Sequence, residues 1–260
     1  MSVLAPARGQ QAIFRVNPVA KLAAALLLAG VLMLTVDWVS AAVALACESV
    51  LFFFAGLSLR AFFWRTLPVW IAAPTAGLTT LLYGQASGQE YWHLGLVHVT
   101  EGSTALAIAT TLRILAIGLP SVVLFVTVDP TDLADGLAQI VRLPSRFVLG
   151  GLAGLRLVGL FIEDWRALEL ARRARGIGDG GAIRRLAGQG FALLVLSIRR
   201  GSKLATAMEA RGFGAPVRRT WARPATFRGR EFALVGIGLV VALLAVFVSV
   251  ATGSWNFVLA

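Results

Sequence analysis

The chain has 260 residues, and 58% of them are hydrophobic before its 27 glycines are counted, whereas soluble proteins have roughly 45–50% with glycine included. Only 14% of the residues are charged although the net charge is +11, so the positive charge must be concentrated in part of the chain. A single cysteine, Cys47, excludes an internal disulfide framework and a cysteine-based metal cluster. We therefore predict an integral protein of the lipid bilayer that binds no nucleic acid and no metal.

Five apolar segments predict five transmembrane helices. The predicted spans, in chain order, are 22–36, 39–59, 67–83, 103–128 and 232–250. Pro18 suits the first turn of the first helix, because the N–H that it lacks has no partner there. The alternative for this segment is a secretory signal peptide, since it has a basic start and a short apolar run. Apolar sequence rather than a soluble domain follows it, which favours a membrane helix.

Lysine and arginine predict the orientation, because they accumulate in cytoplasmic loops. All 24 except Arg113 lie before residue 22, in the loop after the second span, or in 142–230. Five spans place these three segments on the same side. We expect a multi-pass protein of the cytoplasmic (inner) membrane, with its N-terminus inside and its C-terminus outside.

The basic segment before the last span predicts a separate cytoplasmic domain. We divide the chain into a membrane domain with four spans (1–128), a cytoplasmic domain (129–230) and the last transmembrane helix with an outside tail (231–260). A short helix is expected after Asp129, with Thr131 or Asp132 as its cap.

Two long helices are predicted in the cytoplasmic domain, at 145–175 and 183–211. The first begins with small and apolar residues that would let another helix approach closely: Phe147, Gly150, Gly151 and Gly154. In the second, small and apolar residues recur at helical spacing and predict a contact seam: Leu194, Ile198, Gly201, Ala205 and Met208. Arg199 and Arg200 are predicted to lie off this seam.

Each long helix ends in the same triplet. The two copies are Ala174-Arg175-Gly176 and Ala210-Arg211-Gly212. The glycine allows the left-handed residue that follows the last turn of many helices, and the arginine faces the negative end of the helix dipole. One such triplet would be ordinary helix chemistry. Two of them predict a pair of cationic helix ends that could enter acidic grooves on a soluble partner.

Few other residues suggest chemistry. There is no Walker A motif, and the G-x-G-x-x-G spacing of 176–181 follows a charged helix rather than a strand, which favours a flexible turn. His93 and His98 are expected on a loop surface, with a metal site as the alternative. Glu48 and Arg113 lie inside spans, and ionisable residues there are candidates for function. Our preferred interpretation is a buried ion pair that joins spans two and four.

The sequence resembles the transmembrane T component (EcfT-like) of energy-coupling factor (ECF) transporters, a family that includes the CbiQ- and BioN-type proteins of cobalt and biotin systems. The matching motifs cover nearly the whole chain: Asn17-Pro18-Val19-Ala20-Lys21-Leu22, Asp129-Pro130, Leu143-Pro144-Ser145-Arg146-Phe147, Ala171-Arg172-Arg173-Ala174-Arg175-Gly176, Ser202-Lys203-Leu204 and Ala207-Met208-Glu209-Ala210-Arg211-Gly212-Phe213-Gly214.

The resemblance implies an all-α integral membrane protein with about five transmembrane helices and a coupling domain of crossed helices inserted before the last span. It also implies that two ABC-type ATPases receive the two Arg-bearing ends and bind the ATP, so that this chain needs no cofactor and is not an enzyme. A small membrane S component would bind the micronutrient, a vitamin or a transition metal. At the first end, Arg172, Arg173 and Arg175 are all candidates for docking.

Two other functions remain as alternatives. A secondary transporter would use Glu48 and Arg113 as an intramembrane relay and would need no ATPase. A membrane enzyme would need clustered nucleophiles, carboxylates or metal ligands, and the sequence contains no evident set.

Overall fold

The computed structural model describes residues 16–54, 59–84, 87–94, 97–176, 181–215 and 220–256. Within these ranges the chain forms helices α1 (Pro18–Met33), α2 (Trp38–Phe54), α3 (Leu59–Tyr83), α4 (Glu101–Val126), α5 (Pro130–Gln139), α6 (Ser145–Ala174), α7 (Ala182–Ala210) and α8 (Gly229–Ala251), and strands β1 (Glu90–Leu94) and β2 (Val97–Thr100). The chain divides into two compact units, one of Met1–Leu133 with Thr226–Ala260 and one of Ala134–Ala225.

The first unit is a helix bundle in which α4 contacts α1, α2 and α3, while α8 contacts α1 and α2. Small residues dominate its interior. One buried cluster contains Leu28, Leu32, Ala44, Ala116, Val241, Ala242 and Ala245, and another contains Ala73, Leu115 and Leu119. Alanine at these contacts lets the helix backbones approach closely, which is how helices associate where lipid removes the hydrophobic driving force.

The predicted outer loop contains a β-hairpin, which the sequence pattern did not indicate. Strands β1 and β2 pair antiparallel, and His93 is the register partner of His98. The hairpin leads directly into α4, whose N-terminus has a reciprocal cap between Thr100 and Ser103. The prediction of an all-α membrane fold is confirmed with this hairpin as its one described addition.

Three of the described helices are long and apolar enough to cross a membrane: α4, α6 and α8. Helices α1 and α2 are apolar but shorter. Helix α6 is one of the three because its first part is apolar, although we expected this helix on the cytoplasmic side. The prediction of a membrane protein is confirmed, whereas the five-span count and the orientation of the termini stay predictions.

The second unit is built around α6 and α7, which run antiparallel. Arg146 at the start of α6 donates a hydrogen bond to the carbonyl of Gly214, just after α7. Midway, Asp164 of α6 accepts a bidentate pair from Arg200 of α7, with a distance of 2.9 Å between Nη2 and Oδ1. Nearer the end of α6, the guanidinium of Arg172 lies against Gly188. These three contacts hold the pair along its length.

The polar start of α5 differs slightly from the prediction. Asp129, rather than Thr131 or Asp132, caps the helix, because its Oδ1 accepts the N–H of Thr131 at 2.7 Å. Gln139, at the end of α5, bonds to the backbone of Arg223 and Ala225. These two bonds fix the segment that leads out of the second unit.

Candidate functional site

The second triplet forms a complete Schellman helix end. Ala210 is the last residue of α7, and Gly212 has φ 77°, in the left-handed region. The N–H of Gly212 donates to the carbonyl of Glu209 at 2.9 Å, and the N–H of Phe213 donates to that of Met208 at 2.9 Å. This is the hydrogen-bond pattern in which glycine closes a helix and satisfies its last carbonyls.

The first triplet has the same local geometry. Ala174 is the last residue of α6, Gly176 has φ 70°, and its N–H donates to the carbonyl of Arg173 at 3.0 Å. Arg175 and Arg211 both occupy the C-cap position, with φ and ψ of −88° and 4° for the first and −88° and 12° for the second. The two arginines are therefore presented by matching backbones.

The three candidate arginines of the first end have different surroundings. Arg173 pairs with Glu169 on its own helix at 2.7 Å. Arg172 is half-buried, and its Nη1 lies 3.0 Å from the position that a Cβ on Gly188 would take. Arg175 is exposed and, among the described residues, makes no side-chain hydrogen bond or ion pair. Arg175 is thus the exposed candidate without a described side-chain partner, and which of the three arginines docks stays a prediction.

Because α6 and α7 are antiparallel, the two triplets lie at opposite ends of the helix pair. The contact between Arg146 and Gly214 places the end of α7 beside the start of α6. A helix of 30 residues is about 45 Å long, so the two ends lie on the order of 40 Å apart. One rigid element therefore carries two separate cationic ends.

The predicted contact seam of α7 is wrong in part. Leu194 and Ile198 are 55% and 61% exposed, while Arg200, predicted to lie off the seam, makes the pair with Asp164. Together with Arg200, Leu204 and Met208 line a groove of about 560 Å³ that α7 forms with α6. The face of α7 that meets α6 is therefore shifted from the predicted seam: it keeps Met208 but contains Arg200 and Leu204.

The small residues at the start of α6 lie on an uncovered face. A Cβ added to Gly150, Gly151 or Gly154 would meet no atom within 4 Å, and Phe147 is 79% exposed. A different face of α6 lines the groove with α7, and it includes Leu152, Ala153 and Leu157. These three glycines therefore do not form the contact with the second long helix.

Glu48 and Arg113 do not form the ion pair that we preferred. Arg113 donates to the backbone carbonyl of Thr35, at the turn between α1 and α2. Glu48 is 3% exposed, and neither of its carboxylate oxygens has a hydrogen-bond partner among the described residues. The prediction failed because about 15 Å of helix α2 separates Glu48 from that turn, so Glu48 and Arg113 lie at different depths in the helix bundle.

The turn near Arg113 holds a buried polar network that sequence reasoning missed. Asp37 accepts hydrogen bonds from the N–H of Ser40 at 2.6 Å, from the hydroxyl of Ser40 at 2.8 Å and from that of Ser249 on α8 at 2.8 Å. Burial by itself raises the pKa of Asp37. The hydrogen bonds from Ser40, Ser249 and Thr35 together lower this pKa by more, so it lies below the usual range. An acid between two apolar segments was the signal that could have identified it.

The opposite end of the first unit has a second network. Lys21, 1% exposed, donates from Nζ to the carbonyl and the hydroxyl of Thr127, at 3.0 and 2.8 Å. Glu231, in the first turn of α8, accepts the N–H of Asn17 at 3.2 Å and that of Arg228 at 2.8 Å. The motif from Asn17 to Lys21 thus joins the start of α1 to the end of α4 and the start of α8.

Two predictions fall on residues that are only partly described. Residues 177–180 of the G-x-G-x-x-G segment lie outside the described residues. The side chains of His93 and His98 also lie outside them, so the structure describes only the backbone pairing of these two residues. In the described part of the chain, no group of three or more His, Cys, Asp or Glu residues could hold a metal ion.

Comparison with known proteins identifies the family. The profile of the cobalt transport protein family CbiQ matches residues 9–221, a range that includes both Ala-Arg-Gly ends. The chain belongs to the CbiQ family. The resemblance to T components that the sequence motifs predicted is therefore confirmed.

Several relatives of this CbiQ family member are named energy-coupling factor transporter transmembrane protein EcfT. The protein from Brevibacillus brevis is 28% identical over 260 residues, which is 95% of each chain. The one from Lacticaseibacillus paracasei is 25% identical over 241 residues, 88% of this chain and 90% of the relative. The one from Limosilactobacillus fermentum is 27% identical over 188 residues, 68% of this chain and 70% of the relative.

Proposed function

We propose that this chain is the energy-coupling transmembrane component of an ECF-type importer. It connects two ABC-type ATPase subunits, which bind and hydrolyse ATP, to a small membrane S component, which binds a vitamin or transition-metal ion. The CbiQ family membership and the names of the EcfT relatives support this assignment. The chain itself is a non-catalytic subunit that requires no cofactor.

The observation that carries the proposal is the matched pair of C-cap arginines, Arg175 and Arg211. Both are exposed and follow the last helical residue, and both precede a left-handed glycine. Their positions at opposite ends of one helix pair allow each to contact a different subunit. Two copies of the same acidic groove, one on each ATPase, would receive two ends of the same local shape.

Docking gains its strength from burial of the guanidinium with a carboxylate of the partner. An exposed ion pair is worth about 0–1 kcal/mol, whereas removing one member of a buried pair costs about 3–5 kcal/mol. The left-handed glycines lack a Cβ beside the arginine, which lets the groove wall approach the helix end. Position at the helix end, rather than positive charge alone, therefore determines binding.

Movement is transmitted through the α6–α7 pair. The bidentate contact between Asp164 and Arg200 joins the two helices midway, so displacement of either end is passed to the other helix. The uncovered face around Gly150, Gly151 and Gly154 is the surface that the S component contacts, because small residues allow close helix crossing. ATP binding draws the ATPases together, the ends follow, and the S component is reoriented.

A secondary transporter with a Glu48–Arg113 relay has less support. Arg113 bonds to the turn at Thr35, and Glu48 has no hydrogen-bonded neighbour within the described ranges. A relay needs a continuous chain of polar groups, and none is described between these two residues.

Co-purification of the ATPases with charge-reversal variants tests the proposal. Arg211→Glu is expected to weaken binding of the ATPase at that end by at least about 100-fold, since loss of a buried pair costs about 3–5 kcal/mol, which corresponds to that factor or more. Arg175→Glu is expected to do the same at the other end, which leaves one ATPase bound. Arg199→Glu is the matched control, because Arg199 is exposed on α7 but away from its end.

The yield of monodisperse protein measures membrane insertion and folding of each variant, and ATPase capture is compared at equal yield. Equal ATPase capture by all three variants would contradict the docking role of the helix ends. Equal loss in all three would also contradict it, because net charge would then control binding.

A further inference from the structure

A cavity of about 440 Å³ lies within the first unit, between α1, α2, α4 and α8. Its walls are almost entirely apolar, with Leu28, Phe52, Pro120 and Val241 among the residues that line it. Among the described residues that line it, Glu48 is the one with a carboxyl group. The proposed coupling mechanism uses neither the cavity nor this residue.

Glu48 is a buried acid without a described partner. Its side chain is 3% exposed, and neither Oε1 nor Oε2 has a hydrogen bond from any described residue. Carboxyl groups removed from water are normally paired or hydrogen-bonded. Ionisable residues within membrane helices normally pair with one another or with backbone groups. A ligand in the adjoining cavity that donates hydrogen bonds would supply what Glu48 lacks.

A second apolar groove lies beside this cavity, between α2 and α8. The residues that line both include Leu51, Ile237 and Val241, and the second groove is also lined by Val50 and Val240. Val50 and Val240 are 60% and 62% exposed, and Leu51 and Ile237 are 39% and 42% exposed. Exposed apolar residues beside the cavity are suited to contact with the acyl chains of a lipid.

The cavity also has a cationic residue in its lining. Arg230, in the first turn of α8, is exposed and lines the same cavity. The end of α2 faces the start of α8. Glu48 lies six residues before this end, so about 9 Å of helix separates Glu48 from it. One ligand can therefore meet a guanidinium and a carboxyl group while its apolar part occupies the cavity.

We propose that this cavity binds a membrane phospholipid with a primary amine in its headgroup. The phosphate pairs with Arg230, the ammonium donates to Glu48, and an acyl chain fills the apolar walls. Hydrogen-bond donation selects this lipid class: a quaternary ammonium is cationic but has no N–H to donate, and an anionic headgroup without an amine leaves Glu48 unpaired.

Native mass spectrometry of the protein released from nanodiscs tests the proposal. The nanodiscs contain equal amounts of phosphatidylethanolamine and phosphatidylcholine with the same acyl chains. We expect wild-type protein to retain phosphatidylethanolamine over phosphatidylcholine by about tenfold or more, as for a hydrogen bond to a charged group. Glu48→Gln should reduce this preference to near unity, and Arg230→Gln should lower retention of both lipids.

Two further variants keep the test independent of folding. Ala25→Leu narrows the apolar part of the cavity without touching Glu48 and should lower retention of both lipids. Glu101→Gln removes an exposed acid of α4 and should leave the preference unchanged. Equal retention of the two lipids by wild-type protein, or an undiminished preference in Glu48→Gln, would overturn the proposal. Since no ATPase is present, its failure is distinct from failure of the coupling function.

Discussion

Asp37 joins two helices of the first unit, α2 and α8, through a single carboxylate. Its partners come from the first turn of α2 and from Ser249 near the end of α8, and Arg113 of α4 bonds to the same turn at Thr35. Asp37 lies between α1 and α2, outside the membrane-spanning segments, and is 4% exposed. The network therefore stabilises one end of the bundle through a group that titrates in acid.

The lowered pKa of Asp37 predicts acid sensitivity. Its folded-state pKa lies below the ordinary 3.8, so the stabilisation is complete above that pH and is lost as pH falls through the folded-state value. Asp37→Asn should lower the free energy of unfolding by about 2 kcal/mol at neutral pH, as for hydrogen bonds to a charged group. It should also reduce the loss of stability below pH 3.8.

Thermal unfolding in detergent between pH 3 and pH 7 measures this effect. Glu163→Gln, which changes an exposed acid of α6, is the control and should keep the wild-type pH dependence. An Asp37→Asn variant as stable as wild-type protein at pH 7 would show that the network contributes little.

Prediction from the sequence was correct at residues whose conformation depends on the local backbone alone. Gly176 and Gly212 both adopt positive φ, as expected for glycine after the last helical turn. The Glu48–Arg113 pair failed because depth in the bundle depends on how the helices pack. Asp37 was missed for the same reason, since its partner Ser249 is 212 residues away in the chain.

At the scale of elements, the α6–α7 pair combines a fixed contact with uncovered apolar faces. Arg200 and Asp164 join the helices, while Leu194 and Ile198 of α7 and the glycine face of α6 remain exposed. Sequence periodicity identified the extent of both helices but could not decide which stripe of α7 faces α6. That choice depends on an ion pair between residues of different helices.

The glycine face predicts a selective effect of Gly154→Leu. A Cβ added at Gly154 meets no atom within 4 Å, so the fold should tolerate the substitution. It should nevertheless block close approach of the S component and lower its capture by about tenfold, as for an overpacked contact that costs about 1–3 kcal/mol. Co-purification of the S component and of the ATPases measures both partners in one experiment.

Ala167→Leu is the matched control for this change, because Ala167 is exposed in the charged part of α6. Its S-component and ATPase capture should match wild-type protein. If Gly154→Leu lost both partners equally, the glycine face would have no selective role.

At the scale of the whole molecule, the side of the membrane on which α6 and α7 lie decides whether the proposed function is possible. Helix α6 is long and apolar enough to cross a membrane, whereas the positive charge of 142–230 predicts that it lies in the cytoplasm. Composition alone cannot separate these two arrangements, because the first part of α6 is apolar in both.

Labelling of single cysteines in a variant without Cys47 distinguishes the two arrangements. An impermeant maleimide outside intact cells should label cysteine at Gln89 and Trp255 but not at Ala182, since we place the start of α7 inside. Permeabilised cells should be labelled at all three positions. Labelling of Ala182 in intact cells would show that α6 spans the membrane.

Site-specific photocrosslinking of the assembled transporter tests the central claim most directly. A photoreactive amino acid at Ala174 or Ala210, the exposed residue beside each intact docking arginine, should give an adduct of this chain with one ATPase. The chain substituted at both positions should give an adduct with two. The same group at Arg199 should give neither. Crosslinks from Arg199 as frequent as those from Ala210, or a doubly substituted chain that never acquires two ATPases, would contradict the account.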